Sequence, residues 1–285
     1  MFKYLLVPST GSELDRPAVQ MALRAADPSS AHIEFLHVRM DVQRVRVMLA
    51  GSGMTLGTGL VDLEQEAQDC EGRARDGFRE FCAEHGLNTD PDRRAGISAS
   101  WSMVVGEESE WLARRARVAD AVVVGRRRED QLVAIGMMEA ALMDTGRPLL
   151  IAPAEVRSDS LLKTVAVAWK DRPEAARAVT AAMPFIKQAE RVVILSVSES
   201  GNEEESCRRL RTALQWHNSH IELQQLARDD RSAPRRLMEA AGGPGVGATL
   251  LVMGGYGHAR LREAVFGGFT RHVLAGADIP VLMAH

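Results

Sequence analysis

The sequence predicts an α/β protein made of two similar doubly wound domains, each with a five-stranded parallel sheet covered by helices on both faces. Apolar runs such as "VVILSV" and "TLLVM" are nearly continuous, as expected for strands buried on both faces of a sheet. These runs alternate with helical patterns, and the same alternation occurs twice along the chain. The 285 residues, 46% of them hydrophobic, are enough to build two domains with their own cores.

The repeat is clearest at the start of each half. "KYLLVPSTGSELDRPAVQMALRAA" from Lys3 resembles "KTVAVAWKDRPEAARAVTAA" from Lys163, because each has an apolar strand, a loop and Asp-Arg-Pro before an Ala-rich helix. Asp15 and Asp171 are predicted to be the N-caps of these helices. The proline of each motif then falls in the first helical turn, where its missing N–H is tolerated. "ADAVVVG" and "TGRPLLIAP" likewise match "GATLLVMG" and "GADIPVLMA" near the ends of the halves.

Each half is predicted to contain five strands joined by right-handed crossovers. The predicted domains are residues 1–154 and 161–285, linked by the polar, proline-containing stretch "APAEVRSDSLL". In the first domain the predicted strands are Tyr4–Pro8, His32–Val38, Ala99–Val105, Ala121–Gly125 and Pro148–Ala152. In the second domain they are Thr164–Trp169, Arg191–Val197, His220–Leu226, Ala248–Gly254 and Pro280–Ala284.

Composition excludes several classes of protein. The formal net charge is -3, and acidic and basic residues are interspersed, so neither a nucleic-acid-binding nor a membrane-binding surface is expected. The start of the chain lacks the hydrophobic region of a signal peptide, and no segment is apolar over the length of a membrane span, so we expect a cytoplasmic protein. Cys70 and Cys82 lie on one predicted helix, too far apart for a disulfide, and no cysteine spacing indicates a metal site.

A glycine-rich stretch, "VMGGYGHARLREAVFGGFT" from Val252 to Thr270, follows the predicted fourth strand of the second half. It leads into "TRHVLAGA", which has the pattern of a helix. Glycines let the backbone approach a ligand closely, and a helix N-terminus directs free N–H groups toward it. This order of strand, loop and helix is therefore suited to holding an anion.

The stretch resembles the signature of the universal stress protein family, with Gly254, Gly257, the nine residues "HARLREAVF" and Gly267 in the expected order. The whole chain resembles a tandem member of that family. The resemblance implies a binding or regulatory protein of the stress response. In nucleotide-binding members ATP lies across the carboxyl ends of the first and fourth strands, where the switch-point rule also places a ligand. The nucleotide-binding residues implied are Gly254, Gly257, His258, Gly267, Gly268 and Thr270, with magnesium accompanying ATP.

The chain departs from the family pattern at several positions. Thr10 and Lys170 stand where the family has an Asp after the first strand, and Gly268 stands where it has Ser or Thr. The corresponding loop of the first half, "GRRREDQLVAIGMM", lacks Gly-x-x-Gly and keeps only Gly125 and Gly136. We therefore expect any nucleotide to bind in the second domain, with a lower affinity than in members that have the complete motif.

Two other functions stay open. A ligand-free scaffold of the same fold would act only through protein contacts, and the missing Asp favours it. A slow nucleotide hydrolase would need a catalytic cluster, but the sequence contains no P-loop and no Ser-His-Asp pattern, so no catalytic residue is assigned. The acidic residues at 107, 108 and 110 are explained as the start of a helix, where negative charge is favourable.

The resemblance also concerns partners. Separate domains of the family dimerise through their last strands, and "RPLLIAP" and "IPVLMAH" are apolar strands that would otherwise expose unpaired edges. We therefore predict that the two halves form an intramolecular pseudo-dimer through these strands. Formation of a homo-oligomer is left open.

Overall fold

The computed structural model describes residues 1–51, 59–90, 95–126, 132–155, 160–197, 201–227, 233–255 and 278–285. Within these ranges the strands are β1 Tyr4–Pro8, β2 Ser30–Met40, β3 Gly96–Gly106, β4 Ala121–Gly125, β5 Leu149–Ala152, β6 Thr164–Ala168, β7 Arg191–Val197, β8 Ile221–Leu226, β9 Leu250–Gly254 and β10 Val281–Ala284. The helices in the same ranges are α1 Asp15–Ala25, α2 Val42–Gly51, α3 Gly59–His85, α4 Glu108–Ala116, α5 Leu132–Met143, α6 Pro173–Ile186, α7 Gly201–Gln215 and α8 Ala233–Gly242.

The ten strands form one continuous sheet in the order β3-β2-β1-β4-β5-β10-β9-β6-β7-β8. Within each half all neighbouring strands are parallel. The second half repeats the strand order of the first in reverse direction across the sheet, so each half is doubly wound as predicted. The two five-stranded sheets are therefore joined edge to edge rather than separate.

The junction between the halves is the antiparallel pair of β5 and β10. Leu282 lies opposite Leu150, flanked by the pairs Val281 with Ile151 and Met283 with Leu149. Leu150 and Leu282 hold the same position in the two repeats, so the pairing has a local two-fold axis at its centre. The predicted contact between the last strands of the halves is confirmed.

Helices cover both faces of this sheet, and each face has a core that extends through both halves. One core combines α1, α3, α6 and α7 with residues such as Leu5, and the other combines α4, α5 and α8 with residues such as Leu6. Phe2 of the first half meets Phe185 of the second edge to face, with ring centroids 5.2 Å apart. Such a contact adds about 0.5–1.5 kcal/mol beyond the area it buries.

The strands β2 and β3 are longer than the hydrophobic pattern indicated. They pair without interruption from Ser30 with Gly96 to Met40 with Gly106. Their ends carry polar side chains, and Glu34 and His37 are buried within β2. Strands predicted from runs of apolar residues come out too short here. Such runs end at polar residues, even where these residues continue the hydrogen-bonded pairing of the strands.

The predicted helix caps are wrong in both halves. Asp15 is the first residue of α1, after Leu14 at the cap position, and no side chain caps either helix. Asp171 lies one residue before the cap of α6, which is Arg172 in extended conformation. The residue before a proline is disfavoured in the helical region, which explains why α6 begins only at Pro173. Both prolines do lie in the first turn, as predicted.

The two Asp-Arg-Pro motifs are also shifted by one helical turn relative to each other. A Cβ atom on Gly125 would collide with Leu14, whereas one on Gly254 would collide with Glu174 and Ala175, so Leu14 and Glu174 occupy equivalent places. The buried positions of the two helices agree with this equivalence: Ala18, Val19, Ala22 and Ala25 correspond to Ala178, Val179, Ala182 and Phe185.

None of the helices in the described ranges combines the length and the apolar character that a membrane crossing requires.

Candidate functional site

Each half of the sheet has a switch point, where the order of strands reverses. In the first half it lies between the carboxyl ends of β1 and β4, and in the second half between those of β6 and β9. Ligands of open α/β sheets bind in the crevice outside such a point. The two switch points differ in the side chains that the sequence places there.

In the first half the carboxylate of Asp15 fills the loop after β1. It accepts hydrogen bonds from the backbone amides of Thr10 at 3.0 Å and Gly11 at 2.8 Å. It also accepts the hydroxyls of Thr10 at 2.9 Å and Ser9 at 3.1 Å. Backbone N–H groups at such a turn are ready donors to an anion. Here the protein's own carboxylate already uses them.

Close packing also leaves little space at this switch point. The backbone of Leu14 lies directly against Gly125, at the end of β4. A cavity of about 10 Å³ remains between the loop after β1, the start of α1 and the end of β4. A space of that size holds about one water molecule. Between these residues there is no room for a nucleotide.

The second switch point is built differently. The start of α6 lies against Gly254, where a Cβ atom would come within 2.7 Å of the Ala175 backbone nitrogen. A Cβ on the next residue, Gly255, would lie 2.7 Å from the Leu142 side chain of the first half. Gly255 also donates its amide to the Ala284 carbonyl at 2.8 Å. These two glycines are therefore explained by packing, whatever else they contribute.

Glu174 is the unusual side chain at this second switch point. Its Oε1 lies 3.7 Å from a guanidinium nitrogen of Arg177, and the side chain is 17% exposed. Its Oε2 is buried and has no hydrogen-bond partner among the described residues. A buried carboxylate oxygen without a donor is costly, and such atoms are rare in native structures. Leu14, at the equivalent place in the first half, has no polar side-chain atom to satisfy.

The residues implied by the glycine motif fall into two groups. Gly254 belongs to the described residues and lies at the end of β9, where it packs against the start of α6. The others lie outside the described residues, since the structure gives no account of positions 256–277. They are Gly257, His258, Gly267, Gly268 and Thr270.

Lys170, at the position of the family's Asp, belongs to the exposed loop between β6 and α6. The preceding Trp169 is half-buried, and its indole nitrogen donates to the Ser206 hydroxyl at 2.9 Å. In the first half, Arg126 follows β4 and pairs with Asp278 of the second half at 3.4 Å. The next two residues, Arg127 and Arg128, lie outside the described residues.

The described part of the chain contains no group of three or more His, Cys, Asp or Glu side chains that could hold a metal ion. Its three cysteines are free, and Cys82 and Cys207 are buried. Burial raises the pKa of the Cys82 thiol to about 11 and also raises that of Cys207. These buried thiols are protonated at neutral pH and poorly suited to nucleophilic chemistry.

No protein-family model matches the sequence, and no curated protein matches it. Solved structures do resemble it. A universal stress protein from Archaeoglobus fulgidus matches with a TM-score of 0.71 over 99% of this chain and 95% of its own, at 16% identity. The chain has the tandem universal stress protein fold. A functionally unknown Pseudomonas aeruginosa protein follows, with a TM-score of 0.60, 12% identity and coverage of 99% of this chain and 92% of that one.

Almost all of both chains takes part in the match to the Archaeoglobus universal stress protein, so the shared fold includes both halves. At this level of identity the likeness concerns the fold and not the site. The sequence had singled out the glycines, but it did not identify Glu174, because a Glu in the first turn of a helix is already explained by the helix dipole. The sequence signal that could have identified Glu174 was its position directly after Pro173. Its contact with Gly254 at the end of the fourth strand is seen only in the structure.

Proposed function

We propose that the protein is a stress-response binding protein of the cytoplasm, with domains at residues 1–154 and 161–285, whose second domain binds an adenine nucleotide. The observation that carries the nucleotide proposal is the buried Oε2 of Glu174 beside Gly254, which has no hydrogen-bond partner in the part of the chain that the structure describes. A ribose hydroxyl would donate to this oxygen. Glu174 would thus replace the acceptor that Lys170 cannot provide.

The phosphate end of the nucleotide is assigned from the glycine motif. Backbone N–H groups at Gly257, Gly267 and Gly268 would donate to phosphate oxygens, and the helix that the sequence predicts near Gly268 would add favourable partial charge. His258 and Thr270 offer side-chain donors in the same stretch. ATP would bring magnesium as a counter-ion to its phosphates.

The first domain supports a different role. Its loop donors are engaged by Asp15 and its switch point is packed against Leu14. A domain closed in this way favours the second candidate function, a scaffold that acts through protein contacts. We propose that this role belongs to the first domain.

Calorimetric titration of ATP with magnesium into the full chain tests the proposal. A hydrogen bond to a charged group contributes about 1.5–3 kcal/mol, so Glu174→Gln is expected to weaken binding by about 10- to 100-fold. Gly267→Val should weaken binding by blocking the close approach of phosphate. Glu190→Gln, at an exposed position before β7, is the matched control and should bind as the unaltered protein does.

The outcomes separate the candidates. No heat at millimolar ATP, together with no small molecule in mass spectra of the denatured protein, would leave the scaffold function for both domains. If ATP binding is unchanged in Glu174→Gln but lost in Gly267→Val, the protein binds the nucleotide but Glu174 does not contact it. Binding unchanged in both variants would place the ligand elsewhere.

A further inference from the structure

A cleft of about 640 Å³ lies between the two halves, at the sheet edge where β10 ends together with β6 and β9. One wall comes from the amino ends of the first-half strands and the turn before β5, and the other from α6 and the end of β10. Clefts of roughly 300–1,000 Å³ at domain junctions are typical of small-molecule sites. Its lining includes Phe2, Asp120, Arg147, Pro148, Arg177, Thr180, Pro184 and Ala284.

The cleft exists because the repeats differ at the surface of their first helices. With Leu14 equivalent to Glu174, the positions of Ala176, Thr180 and Pro184 on α6 correspond to Arg16, Gln20 and Arg24 on α1. Small side chains on α6 therefore stand where α1 carries three long ones. The space beside α6, at the end of the β5–β10 junction near that helix, is therefore not filled by side chains of α6.

The halves are also joined differently at the two ends of the β5–β10 junction. At one end Arg126 and Asp278 form an ion pair across the halves. Gly255 and Gly146 hold the equivalent positions at the other end, because each has the same place relative to its last strand. Gly146 lines the cleft, where no side-chain bridge can form between these two positions.

The charged groups of the cleft favour an anion. Arg147 donates hydrogen bonds from Nε and Nη2 to the Arg117 carbonyl, at 3.0 and 2.6 Å. No carboxylate within the described ranges pairs with Arg147. Arg177, from the opposite wall, lies 3.7 Å from Oε1 of Glu174 and pairs with no other carboxylate in the described segments. Asp120 is engaged by two backbone amides at 2.7 and 3.0 Å through one oxygen.

The floor of the cleft is apolar. Phe2 is 6% exposed and Ala284 is 7% exposed, and two prolines, Pro148 and Pro184, border them. Arg147 and Arg177 line the same cleft as this floor, so an apolar body resting on it would have a guanidinium group on each wall beside it. Arginine binds carboxylates by two parallel hydrogen bonds, which a flat, rigid anion satisfies best.

We propose that this cleft binds a small organic carboxylate with an apolar, ring-sized body. Arg147 and Arg177 would bind the carboxylate from the two halves, and Phe2, Pro148 and Pro184 would contact the body. This cleft is a separate site that adjoins the nucleotide site proposed for the second domain through the contact between Arg177 and Glu174, and a ligand here would contact both halves at once.

Titration of the full chain with 2-naphthoate, and with neutral 2-naphthamide for comparison, tests this proposal. Naphthoate is expected to bind at least tenfold more tightly than naphthamide. Arg147→Gln and Arg177→Gln should each weaken naphthoate binding by about tenfold or more, since each removes a charged hydrogen bond, and should leave naphthamide unchanged. Both arginines are exposed, so these variants are expected to fold.

A matched pair of tryptophan substitutions locates the ligand. Thr180→Trp fills the cleft and should abolish binding of both probes, whereas Gln20→Trp, at the equivalent place on α1, should leave binding intact. All of these titrations are made without ATP, so failure of the nucleotide proposal does not affect the result. No binding at millimolar naphthoate, equal binding of both probes, or insensitivity to Thr180→Trp would each overturn the proposal.

Discussion

Leu150 and Leu282 lie opposite each other at the centre of the β5–β10 pair, and neither is exposed to solvent. They belong to different halves of the chain and to equivalent positions of the repeat. The junction between the halves is therefore an interior contact, in which each leucine completes the core of the other half.

Leu282→Ala should lower the free energy of unfolding of the whole protein. Removing a fully buried leucine costs about 2–5 kcal/mol, depending on how far the cavity collapses. Urea unfolding followed by circular dichroism measures the change, and Val118→Ala, at a position 75% exposed, serves as the control with little effect. Two separate transitions, only one of them shifted, would show that the halves unfold independently of their junction.

Asp15→Asn should destabilise the first half through the loop after β1. An amide side chain keeps only one acceptor oxygen and turns its NH₂ group toward donors such as the amides of Thr10 and Gly11. Loss of a charged hydrogen bond predicts a decrease of about 1.5–3 kcal/mol in the free energy of unfolding. Asp171→Asn, in the same motif of the other half but exposed, should change it by less than about 0.5 kcal/mol. Equal effects of the two substitutions would contradict the role given to Asp15.

Gly254→Ala tests whether this glycine is required by packing. The added methyl would lie 2.7–3.0 Å from the first turn of α6, so the helix must shift, at a cost of about 1–3 kcal/mol in stability. Gly72→Ala is the counterpart, since this glycine lies within α3 and a Cβ there would have no neighbour within 4 Å. Replacing a glycine inside a helix by alanine should stabilise the protein by about 0.5–1 kcal/mol. Thermal unfolding of both variants gives the comparison. If Gly254→Ala leaves the stability unchanged, packing does not require this glycine, and ligand binding would be the remaining explanation for it.

Tyr4 should make the protein sensitive to alkaline pH. Burial, and then the hydrogen bond of its hydroxyl to Glu34, raise its pKa from 10.0 to about 12. Because the folded state holds the proton more tightly than the unfolded state, this contribution to stability is complete below pH 10 and is lost as the pH rises through about 12. The free energy of unfolding should fall with pH across this window in the native protein, and less steeply in Tyr4→Phe. Identical pH profiles would show that Tyr4 ionises normally.

Much of the fold could be predicted because the apolar strands encode it directly. Runs such as the one ending at Gly125 match their strands to the residue, since burial on both faces demands a continuous hydrophobic segment. The predicted strand β2 was too short, because polar end residues such as Ser30 and Arg39 belong to it only through their pairing with β3. Sequence similarity likewise placed the Asp-Arg-Pro motifs at equivalent helix starts, whereas contacts with Gly125 and Gly254 show a shift of one turn.

The site was less accessible to sequence reasoning. Glycine spacing pointed to the loop after β9, yet a glycine required by packing and one required by a ligand look alike in a sequence. The approach of α6 to β9 buries an oxygen of Glu174 that has no partner among the described residues, and no local pattern reveals this approach. Asp15 shows the same limitation, since a short motif does not say whether its carboxylate turns toward the helix or the loop.

The edge-to-edge sheet has a consequence for synthesis of the chain. One edge of β5 pairs with β4, but its partner on the other edge is β10. β5 ends at Ala152 and β10 begins only at Val281, so almost the whole second half must be made before this other edge is paired. At about 5–20 residues per second the ribosome needs roughly 6–25 s for this interval. During that time the nascent first half presents an open apolar edge centred on Leu150. Two neighbouring nascent chains could pair through it, so the tandem arrangement protects the finished protein but leaves its first half exposed while it is being made.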